Sequence, residues 1–216
     1  MINLYLYNIM SNRFSPEKLR LICINLSDEI KKGDRFLNNK DVTIFNSSII
    51  EIDKSNNLLV ASRGFYGSVR SWDGVNFIIL SLFTDKLKKI RQNIVDIDPN
   101  IIQNKSLKFK ELKSKLIPHG ETMLDGPEDP RLFYHKGDIY IMVNELNKDK
   151  KRHMFISKVD LGTLSYTEKM ELCEPLSGSF EKNWGSFIHN KKLHMLYDIN
   201  PLKIFELDDN FKCKLK

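Results

Sequence analysis

The residues best placed to do chemistry lie in one run, Gly126-Pro127-Glu128-Asp129-Pro130-Arg131, directly before the apolar stretch Leu132-Phe133-Tyr134. The run sets two carboxylates and a guanidinium among two prolines. A residue before proline is kept out of the helical region. Pro130 has no N–H to give a ladder, so it belongs at the first residue of a strand. Asp129 is therefore expected at a strand mouth with little conformational freedom. One acid held in this way suits general acid catalysis, in which a positioned carboxyl hands a proton to a leaving oxygen. The plainer alternative is a polar turn closed by an Asp129–Arg131 ion pair.

The pattern recurs, and the recurrence defines the elements that must hold Asp129. The stretch from Asp129 aligns without a gap on the one from Asn183 (183 − 129 = 54) and on the one from Ser47 (129 − 47 = 82). Each copy is a polar lead-in, a short apolar strand, a polar turn and a second apolar strand. Strand-built repeats of roughly 40–50 residues are the mark of propeller blades. The expected fold is all-β, a β-propeller of four-stranded blades with about three present. A single propeller-like domain over 1–216 would comprise an N-terminal segment (1–42), blade one (43–96), a connecting insertion (97–125), blade two (126–176) and an incomplete blade three (177–216).

Within this frame, Ile139, Ile141 and Val143 share one face of a strand and Tyr140 and Met142 the other, so both faces should be buried. Gly64 to Trp72 reads as a loop whose aromatics either stack on sugar faces or plug the space between blades. Leu107 to Leu112 alternates like an edge strand. Ser15-Pro16 resembles a helix start. His135 and His189 fall at matching turns and read as surface residues.

Composition narrows the function classes. The chain has 216 residues, 41% hydrophobic, with a net charge of +6. Its lysines are spread along the chain, whereas nucleic-acid binding favours a clustered basic face with aromatics. No nucleic-acid partner is expected, and anionic ligands such as phosphate are compatible. Cys23, Cys173 and Cys213 are odd in number and widely spaced with no CxxC pair, which argues against a disulfide framework or a zinc site and for a reducing, cytoplasmic setting. No run reaches 18 apolar residues and Met1 to Met10 lacks a basic leader, so neither a membrane span nor a signal peptide is expected. No His/Asp/Glu cluster has metal spacing, and no glycine loop joins a strand to a helix in nucleotide-binding fashion.

Three pieces taken in order carry a resemblance: Asn46-Ser47-Ser48-Ile49 with Arg63 downstream, Glu128-Asp129-Pro130-Arg131, and Lys182-Asn183-Trp184. Together they resemble the five-bladed β-propeller family of β-mannoside phosphorylases, with its related glycosidases and β-mannosyltransferases, over about Thr43 to Leu207. The resemblance implies that Asp129 is the general acid. It implies that Arg63 lies by the sugar or phosphate. It also implies a carbohydrate substrate and inorganic phosphate as co-substrate, with no other cofactor. Asn46, Glu128, Arg131, Lys182, Asn183 and Asp198 join Arg63 as candidate substrate-binding residues, expected at strand ends around one central funnel. Lys182-Asn183-Trp184 is equally readable as a packing tryptophan with polar neighbours. Three blades in place of five leave open blade faces, which self-association or a partner chain is expected to cover. The alternatives to an enzyme are a non-catalytic module binding glycans or protein through the same funnel, and a fragment of a larger assembly.

Overall fold

Apolar strands joined by short polar turns can pair only with their sequence neighbours, and here they form three antiparallel meanders. A computed structural model describes residues 4–5, 23–24, 26–52, 55–68, 70, 73–97, 102, 124–148, 151–166, 168–172 and 184–216. At the N-terminal side β1 (Leu4–Tyr5) pairs with β2 (Cys23–Ile24), and a six-residue helix, α1 (Leu26–Lys31), follows. The first sheet has the order β3 (Val42–Ile52), β4 (Asn57–Ser68), β5 (Asp73–Phe83), β6 (Lys89–Val95), with β7 (Leu124–Asp125) added parallel to β5. The second runs β8 (Glu128–His135), β9 (Asp138–Leu146), β10 (Arg152–Asp160), its outer edge completed by β11 (Ser165–Tyr166) and β12 (Met170–Glu171). The third runs β13 (Gly185–His189), β14 (Lys192–Ile199), β15 (Leu202–Leu207), β16 (Cys213–Leu215). The fold is all-β, an incomplete β-propeller of four-stranded blades.

The sheets stack through two apolar layers. Leu59, Ala61, Ile78 and Leu80 of the first sheet meet Leu132, Ile139, Ile141 and Val143 of the second. Met142, Met154 and Ile156 on the second sheet's other face meet Trp184, Leu193, Met195 and Phe205 of the third. The two faces of β9 are thus divided as their sequence predicts, because a blade between two blades has no solvent side. The far face of the first sheet is closed by Leu26 and Ile30 of α1 together with Leu37. On the third sheet Ile199 and Leu202 stay 77% and 66% exposed.

Several expectations need correction. Gly64 to Ser68 continues β4, and Phe65 and Tyr66 are buried, with Tyr66 against Phe36. These two rings pack the core and do not line a sugar site; Trp72 lies outside the described residues. The strand expected at Leu107 to Leu112 and the helix start at Ser15-Pro16 also lie outside them. Cys213 is disulfide-bonded, so cysteine spacing supplies no argument about the compartment. Among the described residues no helix is long and apolar enough to cross a membrane.

Register corrects the repeat. Phe45 pairs with Arg63 and Ser48 with Ala61, while Glu128 pairs with Asn144 and Arg131 with Met142. Asn46, not Ser47, is therefore the counterpart of Asp129. The β3–β4 turn lies between paired Ile52 and Asn57, and the β8–β9 turn between paired His135 and Asp138, two residues shorter. A gapless alignment splits that difference and misplaces both strands by one residue, which on a pleated strand exchanges the faces. Against the third sheet the offset of 54 holds, since Leu132 pairs with Ile141 and Ser186 with Met195.

His189 is exposed as expected, but His135 is buried against the rings of Tyr140 and Phe211. Burial first, and then the nearby Lys136, lower the pKa of its imidazole, with Asp209 opposing. Above the unfolded value of about 6.5 both states carry neutral imidazole and stability is complete. As pH falls below that value the unfolded chain takes up a proton that the folded chain resists, so stability declines until the lowered folded pKa is passed. His135→Leu should flatten this decline between pH 7 and 5, read as the urea midpoint of both proteins across that range.

Candidate functional site

The site begins with two matching irregularities. In β3 two residues, Asn46 and Ser47, stand opposite the single residue between Ala61 and Arg63; in β8 Asp129 and Pro130 do the same opposite Val143. Both are β-bulges. Asn46 and Asp129 each have φ of 49° there, in the left-handed region that asparagine and aspartate tolerate best among residues with a side chain. Pro130 sits inside this bulge and not at the first residue of its strand, because the residues of a bulge are left out of the hydrogen-bonded ladder. Bulges re-aim side chains, and these two aim theirs at each other: Asn46 Nδ2 donates to Asp129 Oδ1 at 2.6 Å. The neighbouring inner strands are further tied by Leu132 N donating to Ser48 Oγ at 2.9 Å and Tyr134 Oη to the Glu51 carbonyl at 2.8 Å.

Arg63 completes the arrangement. Strand alternation puts it on the same face of β4 as Leu59 and Ala61, the face turned to the second sheet. It is 6% exposed and lies over the Phe45 ring, 4.8 Å from the centroid. All three of its nitrogens are engaged: Nε donates to Asn76 Oδ1 at 2.8 Å, Nη1 to Asp129 Oδ1 at 3.1 Å and Nη2 to Glu128 Oε1 at 3.0 Å. Oε1 of Glu128 also accepts from Arg152 Nη2 at 3.1 Å and Asn76 Nδ2 at 3.2 Å. Arg152 Nη1 donates to the carbonyl of Gly126 at 3.0 Å. Gly126 has φ of 88°, and a Cβ on it would stand 2.2 Å from the Asn76 carbonyl oxygen, so only glycine fits.

The candidate residues thus divide. Asp129, Asn46, Arg63 and Glu128 come together. Arg63 is held within the protein, at the side of Asp129. Oε1 of Glu128 is a clamp between two buried guanidiniums. Asp129 carries two donors on Oδ1, and its Oδ2 has no hydrogen-bond partner among the described residues. Arg131 does not pair with Asp129 and makes no ion pair among the described residues, so the Asp129–Arg131 closure of the plainer alternative gives way to Asp129–Arg63. Asp198 is not joined to this cluster: Oδ1 accepts from the backbone N–H groups of Ile199 and Asn200 and closes the β14–β15 turn. Lys182 and Asn183 lie outside the described residues, while Trp184 is a packing residue, stacked 5.5 Å from Phe205. Asn76, Asn144 and Arg152 went unnoticed as site residues in the sequence, although Asn144 lies within the repeated stretch that starts at Asp129. Among the described residues no group of three or more His, Cys, Asp or Glu could hold a metal ion.

No protein-family model matches the chain, and no curated protein does. Solved structures do. The GH32 β-fructofuranosidase BmSUC1 of Bombyx mori superposes with a TM-score of 0.51 at 12% identity, covering 82% of this chain and 37% of that one. Zg3597, a family 117 glycoside hydrolase of the marine bacterium Zobellia galactanivorans, gives 0.49 at 12% identity over 80% of this chain and 45% of its own. The chain spans less than half the length of either. At this identity the likeness to the first is one of fold, the β-propeller.

Removing the clamp should cost more than neutralising the candidate acid. Glu128→Ala leaves two buried guanidiniums short of a counter-charge and should destabilise by about 3–5 kcal/mol. Asp129→Asn keeps an oxygen for both donors and should cost about 1 kcal/mol. Urea unfolding of the two variants beside the wild type measures the difference.

Proposed function

We propose that the chain acts on a glycoside where its first two sheets meet, with Asp129 as the acid that protonates the leaving oxygen. The observation that carries this is the arrangement of Asp129: one carboxylate oxygen fixed by Arg63 and Asn46, the other without a hydrogen-bond partner among the described residues, on a bulge that holds the side chain in place. The fold is shared with proteins described as glycoside hydrolases, which supports a sugar as the ligand.

The sequence resemblance favours phosphate over water as the nucleophile. Hydrolysis of this kind uses two carboxyl groups across the sugar, one as acid and one to activate water or attack directly. Among the described residues the counterpart of Asp129 in the first sheet is Asn46, an amide, and Oε1 of Glu128 accepts from three donors. Phosphate brings its own nucleophilic oxygen. In an inverting displacement that oxygen bonds to the anomeric carbon from the face opposite the leaving group, the glycosidic C–O bond breaks, and the Asp129 proton passes to the departing oxygen. The products are a sugar 1-phosphate and a free hydroxyl. Arg131, beside Pro130, is the candidate cation for the phosphate, since the nitrogens of Arg63 are engaged. The sequence resemblance points to β-mannosides. Glycan binding without turnover is the second reading, favoured by the close hold of Arg63 on the protein's own carboxylates.

Incubating the protein with β-mannosides and other β-glycosides, with and without phosphate, tests the proposal by ³¹P NMR. A sugar 1-phosphate should form only with phosphate present, and Asp129→Asn should lower its rate roughly 10²–10⁴-fold while the variant still binds the sugar. Saturable binding without product selects the second reading. Neither product nor binding overturns both.

A further inference from the structure

Arg152 of the second sheet shares Oε1 of Glu128 with Arg63, the arginine that holds Asp129. In the first sheet Arg63 of β4 and Asn76 of β5 are neighbours, since Asn76 pairs with Phe65, two residues beyond Arg63. In the second sheet Asn144 of β9 and Arg152 of β10 are related in the same way, since Arg152 pairs with Leu146, two residues beyond Asn144. Asn144 stands opposite Glu128 as Arg63 stands opposite Phe45. Arg63 and Asn144 are therefore counterparts, and so are Asn76 and Arg152. Each sheet has one arginine and one asparagine in this pair, in reversed order, and in each the two side chains bond: Arg63 Nε to Asn76 Oδ1 at 2.8 Å, Arg152 Nη1 to Asn144 Oδ1 at 3.5 Å.

The reversal brings two guanidiniums to one oxygen, Oε1 of Glu128, at 3.0 and 3.1 Å. Both arginines are buried, 6% and 5% exposed. Were Glu128 compensated by Arg63 alone, the preference of a guanidinium for a two-pronged grip on one carboxylate would draw Nη1 off Asp129. With Arg152 sharing Glu128, Arg63 needs only Nη2 there, and Nη1 remains on Asp129.

We propose that Arg152 is a positioning residue for Asp129, acting through Glu128 and Arg63. Its consequence for turnover rests on the reading of Asp129 as the reacting acid, whereas its effect on Arg63 does not. The experiment therefore has two arms on the full chain. In the first, the side-chain N–H signals of Arg63 are followed by ¹⁵N NMR, assigned by their loss in Arg63→Lys. Arg152→Gln should shift them and quicken their exchange with water by roughly tenfold. Arg152→Lys, which keeps the charge, should disturb them less. The double variant Glu128→Gln, Arg152→Gln removes the competing carboxylate together with its partner and should return them toward the wild type. That recovery separates positioning from bulk packing, which a second substitution would only worsen, and it decides the matter even where the single variant folds poorly. In the second arm, Arg152→Gln should lower kcat with KM little changed. Unaltered Arg63 signals in Arg152→Gln, or a double variant disturbed as much as the single one, would overturn the proposal. Absence of turnover in the wild type, with the signals behaving as expected, removes the proposed function and leaves the positioning role standing.

Discussion

One carboxylate oxygen between two buried guanidiniums governs the first two blades. Oε1 of Glu128 accepts from Arg63, Arg152 and Asn76. A buried arginine is tolerable only when its charge is matched and its N–H groups are bonded. With Asp129 the cluster holds two positive and two negative side chains, so its formal charge cancels. Arginine suits this task because its planar fork can address several acceptors at once, where a lysine would present one compact charge. The sidedness is also informative. Arg63 comes from the first sheet and Glu128, Asp129 and Arg152 from the second, so the contact that closes the blade junction is the contact that orients the candidate acid.

The backbone makes that contact possible. Two bulges at matching places turn Asn46 and Asp129 into the left-handed region and against each other, across 83 residues of sequence. Left-handed conformations of residues with side chains carry strain of order 1–3 kcal/mol and persist where their surroundings over-determine them. Here the surroundings are the Arg63 and Asn46 donors, Pro130 in the bulge, and Gly126 pressed against the Asn76 carbonyl. Strain held in this way at a polar cluster is a reason to regard the blade junction as a working surface.

The ends of the stack are treated differently. The far face of the first sheet is covered by α1 and Leu37, whereas on the third sheet Ile199, Leu202 and Ile188 remain open to solvent. The apolar layers between sheets rigidify the middle blade from both sides. The second blade, which carries Asp129, is thus packed on both faces.

The blades themselves were legible in the chain. Apolar stretches separated by short polar turns mark the blades, and the two-faced burial of β9 follows from its composition. The outer strand of the second blade is broken into β11 and β12. Asp129 was legible as well, because a proline-bracketed acid is a local feature; Arg63 was marked by the family resemblance, although β4 runs on past it to Ser68. What tertiary structure alone decided is who meets whom. Whether the partner of Asp129 is Arg131, two residues away, or Arg63, 66 residues away, depends on a bulge and on which face of β4 the arginine occupies, and a one-residue error in register reverses that face. The same holds for His135, buried where its turn position indicated solvent, since the ring of Phe211 that covers it comes from the next blade. Asn76, Asn144 and Arg152 carried no functional signal in the sequence: they are ordinary polar residues until the ladders of β5, β9 and β10 bring them around Glu128. Local pattern specifies strands because alternation is a property of a few consecutive residues, whereas a polar cluster drawn from six strands exists only once the sheets have stacked.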